Sequence, residues 1–111
     1  MGIAQIIPVD AGATYSFSAY VKNNSDDPLT TEAHGMIGIE WKKSDGVEIS
    51  RTTSPEWDMT LSRMRWEPYN VTEKAPRGAK TAAFTIPLYD GEKGGSGSCV
   101  VDDARVEMKK K

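Results

Sequence analysis

Apolar and β-branched residues alternate with polar residues over short stretches of this chain, and helical spacing never persists beyond one turn. Alternation with a period of two is typical of strands that bury one face. The pattern predicts seven strands, over residues 3–9, 14–22, 36–43, 47–53, 65–72, 80–88 and 98–108. Seven short strands separated by turn residues indicate an all-β fold, an antiparallel β-sandwich of two sheets.

Turn-forming residues separate these runs. Asp45-Gly46 lies between two alternating stretches and predicts a hairpin with a two-residue type I′ turn. Longer connections are predicted at residues 23–35, 54–64 and 89–97. Loops of this length in compact domains are usually functional or mobile.

The same alternation sorts the strand aromatics into inward and outward positions. Tyr15 and Phe17 share the core face of the second strand, whereas Tyr20 falls on its polar face. Trp41 shares a face with the neighbouring isoleucines, which predicts that Trp41 points into the core and that Glu40 points outward.

Length and charge limit the classes of partner. The 111 residues suit a single domain over residues 1–108, followed by a short basic tail over 109–111. With a formal net charge of -2, the domain has little electrostatic attraction for the negatively charged backbone of a nucleic acid. No apolar run reaches the roughly 20 residues of a membrane helix. We therefore expect no nucleic-acid partner and no membrane partner.

The sequence carries no signature of nucleophilic catalysis. His34 is the only histidine and Cys99 is the only cysteine, which excludes an internal disulfide and a cysteine-based zinc site. Among 16 acidic residues, pairs such as Glu40 with Glu48 arise by chance and indicate glycosidase chemistry only weakly. We expect a domain that is not an enzyme.

The candidate ligand contacts are aromatic residues outside the core faces, since sugar rings stack their C–H faces on flat aromatics. Trp57 is the first candidate because its polar, proline-containing segment offers no strand packing; alternatively, the indole folds back over the sandwich edge. Tyr20 is either a ligand contact or a half-buried sheet residue. At least one of Trp66 and Tyr69 is structural, and Tyr89 ranks below Trp57.

Four stretches in order carry a family resemblance. They are IIPVDAGATYSFSAYVKN, IGIEWKKSDGVEIS, RWEPYNVTEKAPRGAKTAAFTI and VVDDARVEM, and together they span nearly the whole chain. Their turn and strand patterns resemble those of jelly-roll carbohydrate-binding modules, the galactose-binding-domain-like sandwiches of families 4, 9 and 22 that are appended to bacterial glycoside hydrolases.

This resemblance implies non-catalytic binding of a plant β-glucan such as cellulose, mixed-linkage glucan or xyloglucan. The module would bring an attached glycoside hydrolase to its polysaccharide or oligosaccharide, outside the cell. The expected ligand contacts are the aromatics Trp57, Tyr20, Trp66 and Tyr89, together with the hydrogen-bonding groups Glu40, Arg51 and Arg65.

The resemblance also implies a structural calcium ion. Asp102 matches an aspartate of the closing strand that often binds the ion, and Asp26 or Asp27 would add charge from the loop that follows the second strand. The strand that carries a further acidic ligand in these modules has no counterpart among the matched stretches.

Two other functions remain open at this point. A structural or adhesive sandwich of a phage or cell-surface protein would use its aromatics for packing and its loops for a protein partner. A small glycan-cleaving enzyme would need two carboxylates about 5–10 Å apart in a cleft.

Overall fold

The computed structural model describes residues 2–89 and 95–110. Within these residues the chain forms eight strands. They are β1 (Gly2–Pro8), β2 (Thr14–Asn23), β3 (His34–Gly35), β4 (Gly38–Lys42), β5 (Glu48–Thr53), β6 (Glu67–Lys74), β7 (Thr81–Tyr89) and β8 (Cys99–Lys109). The part of the chain described here contains no helix long and apolar enough to cross a membrane.

The strands form two antiparallel sheets. The large sheet has the order β1-β7-β4-β5, and β3 also pairs with β7; the small sheet has the order β6-β2-β8. The buried faces of both sheets contribute to one hydrophobic core. The prediction of an all-β, two-sheet sandwich is confirmed.

All seven predicted strands are present, with ends that shift by at most two residues. The extra strand, β3, has only two residues and lies inside a predicted loop, where it pairs with β7. Lys109 was predicted to belong to the tail, but it ends β8 and lies opposite Thr14. Strand β8 therefore extends one residue beyond position 108, after which the basic tail was predicted to begin.

The predicted hairpin at Asp45-Gly46 is present, but its turn differs. Lys43 pairs with Val47 through an N–H···O bond of 2.9 Å, which leaves three loop residues instead of two. Gly46 has a positive φ of 85° and donates to the Lys43 carbonyl at 2.9 Å. This is a β-turn followed by a left-handed residue, the usual geometry of three-residue hairpins.

Inward positions of the strands are filled by large side chains, as the alternation predicted. Tyr15 contacts Trp41 edge-on at 5.8 Å between ring centroids, and Phe17 contacts Phe84 at 5.5 Å. All four rings are buried. Each large side chain removed from water contributes about 1.5–3 kcal/mol, so these rings are a major part of the cohesion between the sheets.

A buried amide joins two long connections to the end of β2. The side chain of Asn23 is fully buried, and its Nδ2 donates to the Leu61 carbonyl at 3.2 Å. Its Oδ1 accepts a hydrogen bond from the Leu29 N–H at 3.0 Å. Asn23 therefore holds the 24–33 segment and the 54–66 segment against the same strand end.

Candidate functional site

The predicted ligand residues divide between the outer faces of the two sheets. Glu40, Arg51 and Tyr89 lie on the outer face of the large sheet, where they line one shallow depression. Tyr20 lies on the outer face of the small sheet, and Trp66 is exposed just before β6. The fold therefore does not bring all of these residues into a single groove.

Trp57, the first platform candidate, belongs to the core. Its side chain is only 2% exposed, and it forms an isolated β-bridge with Gly35 through N–H···O bonds of 2.8 and 2.9 Å. Tyr69 packs edge-on against the indole at 4.8 Å. The prediction of an exposed Trp57 is wrong. The bridge to Gly35 directs the indole into the core, although the sequence around Trp57 shows no strand pattern.

We call the outer surface of the large sheet around Tyr89, Arg51 and Glu40 the large-sheet face. Its depression has a volume of only about 50 Å³, too small to enclose a sugar ring. The residues that line it are Met36, Gly38, Ile39, Glu40, Arg51, Thr53, Thr85, Pro87 and Tyr89. The surface is therefore an open platform with a slight hollow.

The ring of Tyr89 is held in place by His34. The two rings stack at 5.1 Å with an interplanar angle of 26°, and Tyr89 remains 44% exposed. The pairing of β3 with β7 brings the two residues directly opposite each other. His34 is itself fixed by a 2.7 Å contact between Nδ1 and the Glu32 carbonyl, so Nδ1 carries the hydrogen. One face of the phenol is thereby backed, and the exposed remainder is available for a ligand.

A fixed guanidinium lies beside this aromatic pair. Arg51 donates to both carboxylate oxygens of Glu48, at 2.7 Å from Nη2 and 3.1 Å from Nε. Glu40 lies directly across the strand pair from Arg51, and no residue of the described chain hydrogen-bonds to its carboxylate. The face thus presents a positioned donor group next to an acceptor group that is free to bind a hydroxyl.

The Arg51 guanidinium holds the pKa of Glu48 below its usual value of 4.5, chiefly through the direct hydrogen bonds. A lowered folded-state pKa contributes stability above the unfolded pKa, and that contribution is lost as the pH falls through the lowered value. We expect Glu48 to titrate below 4.5 by NMR, and Arg51→Gln to raise its pKa. An unchanged Glu48 pKa in Arg51→Gln would show that the ion pair is not formed in solution.

The outer surface of the small sheet around Tyr20, Trp66 and Arg65, which we call the small-sheet face, offers a weaker arrangement. Trp66 is 40% exposed, but the Lys22 ammonium lies 4.7 Å from its ring centroid and covers part of the indole. Tyr20 is exposed opposite Pro68 in the strand register. Arg65 is exposed, and its backbone N–H donates to the Ser62 hydroxyl at 3.0 Å.

The predicted calcium ligands do not come together. Asp102 lies opposite Tyr20 and accepts a hydrogen bond from the Asp103 N–H at 2.9 Å. The loop with Asp26 and Asp27 begins three residues further along β2, about 10 Å away at ~3.3 Å per residue. Within residues 2–89 and 95–110, no cluster of three or more acidic, histidine or cysteine side chains could hold a metal. These aspartates do not fit one calcium site, and calcium binding stays a prediction.

His34 is the functional candidate that the sequence did not reveal. A lone histidine beside a glycine has no periodic context, and only the pairing of a two-residue strand places it under Tyr89. Met36 and Thr53 also border the depression because β4 and β5 bring them there. The single sequence signal was the position of Tyr89 at the end of a strand.

Comparison with protein-family profiles and with curated protein sequences gave no match. Among solved structures, the enzymatically active domain of tailspike protein 4 from bacteriophage CBA120 is similar, with a TM-score of 0.70 and 12% identity over 96% of this chain. The CBM22-1 and GH10 modules of Clostridium thermocellum endo-1,4-β-D-xylanase 10B, complexed with xylohexaose, match with a TM-score of 0.62 and 19% identity over 93% of this chain. The chain spans only 13% and 18% of these two structures. At these identities the likeness establishes the fold alone, an antiparallel β-sandwich.

Proposed function

We propose that this domain binds an extended polysaccharide on the large-sheet face and breaks no bond. The observation that carries the proposal is the exposed Tyr89 ring, backed by His34 and adjacent to the Arg51–Glu48 ion pair. A flat ring beside charged hydrogen-bonding groups matches a sugar, which has an apolar C–H face and a rim of hydroxyls.

Each group has one role in this mechanism. Tyr89 stacks on a sugar ring, and its prior stacking on His34 reduces the conformational entropy lost on binding. Arg51 donates to hydroxyl oxygens while Glu48 keeps it oriented. Glu40 accepts from a hydroxyl hydrogen. The open, shallow surface suits the middle of a long chain, because nothing closes over the chain ends.

The proposed ligand class is a β-linked plant glycan, with mixed-linkage glucan, xyloglucan and cellulose ahead of others. Equatorial β-linkages give flat, ribbon-like chains that fit an open platform. The similar xylanase structure holds xylohexaose, which supports an oligosaccharide ligand. In a larger secreted glycoside hydrolase the domain would raise the local concentration of the enzyme on its substrate, which requires only modest affinity.

Affinity electrophoresis tests the proposal and its location. Wild-type protein is run against mixed-linkage glucan, xyloglucan, xylan and mannan, each with calcium and with chelator. We expect retardation by at least one β-glucan, weakened roughly five- to tenfold by Tyr89→Ala, since one lost ring contact is worth about 1–1.5 kcal/mol. Trp66→Ala, the matched aromatic change on the small-sheet face, is expected to leave retardation unchanged.

Two results would contradict the proposal. Loss of binding in Trp66→Ala with full binding in Tyr89→Ala would move the site to the small-sheet face. If the wild type migrated freely in the presence of every glycan, the proposal that it binds these polysaccharides would be wrong. It would favour a structural or adhesive role instead, to which the tailspike similarity lends support.

A further inference from the structure

Strand β8 leaves one edge open. It is eleven residues long and ends the small sheet, paired on one side with β2; no other strand of residues 2–89 and 95–110 pairs with its second edge. Val106 and Met108 lie opposite the core residues Phe17 and Tyr15 and so share their inward direction. Even so, they are 40% and 45% exposed. An open edge with inward apolar residues uncovered is a template for another strand.

We propose that a second copy of this chain covers this edge through antiparallel β8–β8 pairing, with the two-fold axis at Val106. On the outward side of the joined strands, Arg105 then faces Glu107 of the second copy. Asp103 has a φ of 53° at the β-bulge of β8 and lies outside this regular register. By symmetry the contact between Arg105 and Glu107 occurs twice, so two opposite-charge pairs lie across the joint.

The inward side of the same register is entirely apolar. Val106 faces Val106 of the second copy, and Ala104 faces Met108. These contacts cover the two side chains that the single chain leaves exposed. Cross-strand pairs of both kinds each contribute roughly 0.2–1 kcal/mol.

Neighbouring registers are worse. With the axis at Arg105, the two Arg105 side chains face each other. With the axis at Glu107, the two Glu107 side chains face each other. With the axis at Ala104, the axis falls on the β-bulge and Glu107 loses its basic partner. Among these registers, the Val106 register is the one that gives both Arg105 and Glu107 an oppositely charged partner. The existing Asp103–Arg105 ion pair, at 2.8 Å, already holds the guanidinium on the outward side.

The dimer has a consequence for binding that rests on the function proposed above. A two-fold axis perpendicular to a continuous small sheet leaves both large sheets on the same side. Both large-sheet faces then point in one direction and can contact one polysaccharide surface together, which increases avidity without any new contact. Dimerisation itself does not depend on a glycan ligand.

Analytical ultracentrifugation with a charge swap tests the pairing. A strand-edge joint is smaller than a standard interface, so we expect a dissociation constant on the order of 100 µM. The mean mass of the wild type should rise toward twice the monomer mass between about 5 and 500 µM. Glu107→Arg and Arg105→Glu should each stay monomeric, because each places like charges across the joint. An equimolar mixture of the two variants should form a mixed dimer. The basic side chains at positions 105 and 107 of one variant then face the acidic side chains at positions 107 and 105 of the other.

Both residues are exposed, so thermal unfolding should confirm that each variant is folded. A wild type that remains monomeric over the whole range would overturn the proposal. So would single variants that dimerise like the wild type, which would assign the contact to another surface, or a mixture that stays monomeric. A glycan assay on the same proteins separates this result from the proposed function, because a monomeric wild type that binds glucan contradicts the dimer alone.

Discussion

Trp57→Ala is expected to lower the free energy of unfolding by about 3–5 kcal/mol, the largest loss among the changes considered. The indole is 2% exposed and packs against Tyr69, and it lies so near Gly35 that a Cβ there would come within 2.6 Å of Nε1. Removing it leaves a cavity that the surrounding strands cannot close. Chemical denaturation followed by fluorescence or circular dichroism measures the loss.

The matched control is Trp66→Ala, the same substitution at a tryptophan that is 40% exposed. We expect it to cost less than about 1 kcal/mol. Equal stability losses in the two variants would contradict the assignment of Trp57 to the core. Trp57→Ala is also unsuitable for testing glycan binding, because reduced retardation would follow from a smaller folded fraction.

Asn23→Ala is expected to cost about 2–4 kcal/mol, although it removes only a small polar group. The change leaves the Leu61 carbonyl and the Leu29 N–H buried without their partner, and each unpaired buried group costs about 1–3 kcal/mol. The loss should be accompanied by faster hydrogen exchange in the 24–33 and 54–66 segments, which the amide joins to β2. Denaturant unfolding and hydrogen exchange by NMR measure the two effects.

Asn24 supplies the control, since it is the next residue and the same amide. Its Nδ2 bonds to the Ser98 hydroxyl at 3.0 Å and its Oδ1 accepts from the exposed Asp26 N–H at 3.0 Å. Water can replace these partners, so Asn24→Ala should cost about 1 kcal/mol or less. A larger loss in Asn24→Ala than in Asn23→Ala would show that the buried amide does not hold the two segments.

Alternation along the chain was enough to predict that Tyr15, Phe17 and Trp41 enter the core. Tyr15, Phe17 and Trp41 lie in regular strands, where the period of two fixes the direction of every side chain. Trp57 lies outside any strand with such a pattern. Its inward direction follows from a bridge to Gly35, a contact 22 residues away that no local pattern encodes.

The division of the candidate site has a similar origin. Alternation predicts that Tyr20 and Glu40 both point outward, but it does not indicate which sheet each strand joins. Pairing of β4 with β5 and β7 places Glu40 on the large sheet, whereas pairing of β2 with β6 and β8 places Tyr20 on the small one. The stacking of His34 under Tyr89 depends on the same long-range pairing.

The order of the strands also sets the sequence of events during folding. Among the strands of residues 2–89 and 95–110, only β4 and β5 are joined by a short hairpin; β2 must wait for β6 and β8, and β1 must wait for β7. Folds dominated by distant pairings form in milliseconds to seconds, more slowly than folds with local contacts. On the ribosome, β6 begins 44 residues after β2 ends, from residue 23 to residue 67, which takes about 2–9 s at roughly 5–20 residues per second. For that time neither edge of β2 has its native strand partner, so the backbone N–H and C=O groups of β2 can pair with other strands before residue 67 is made.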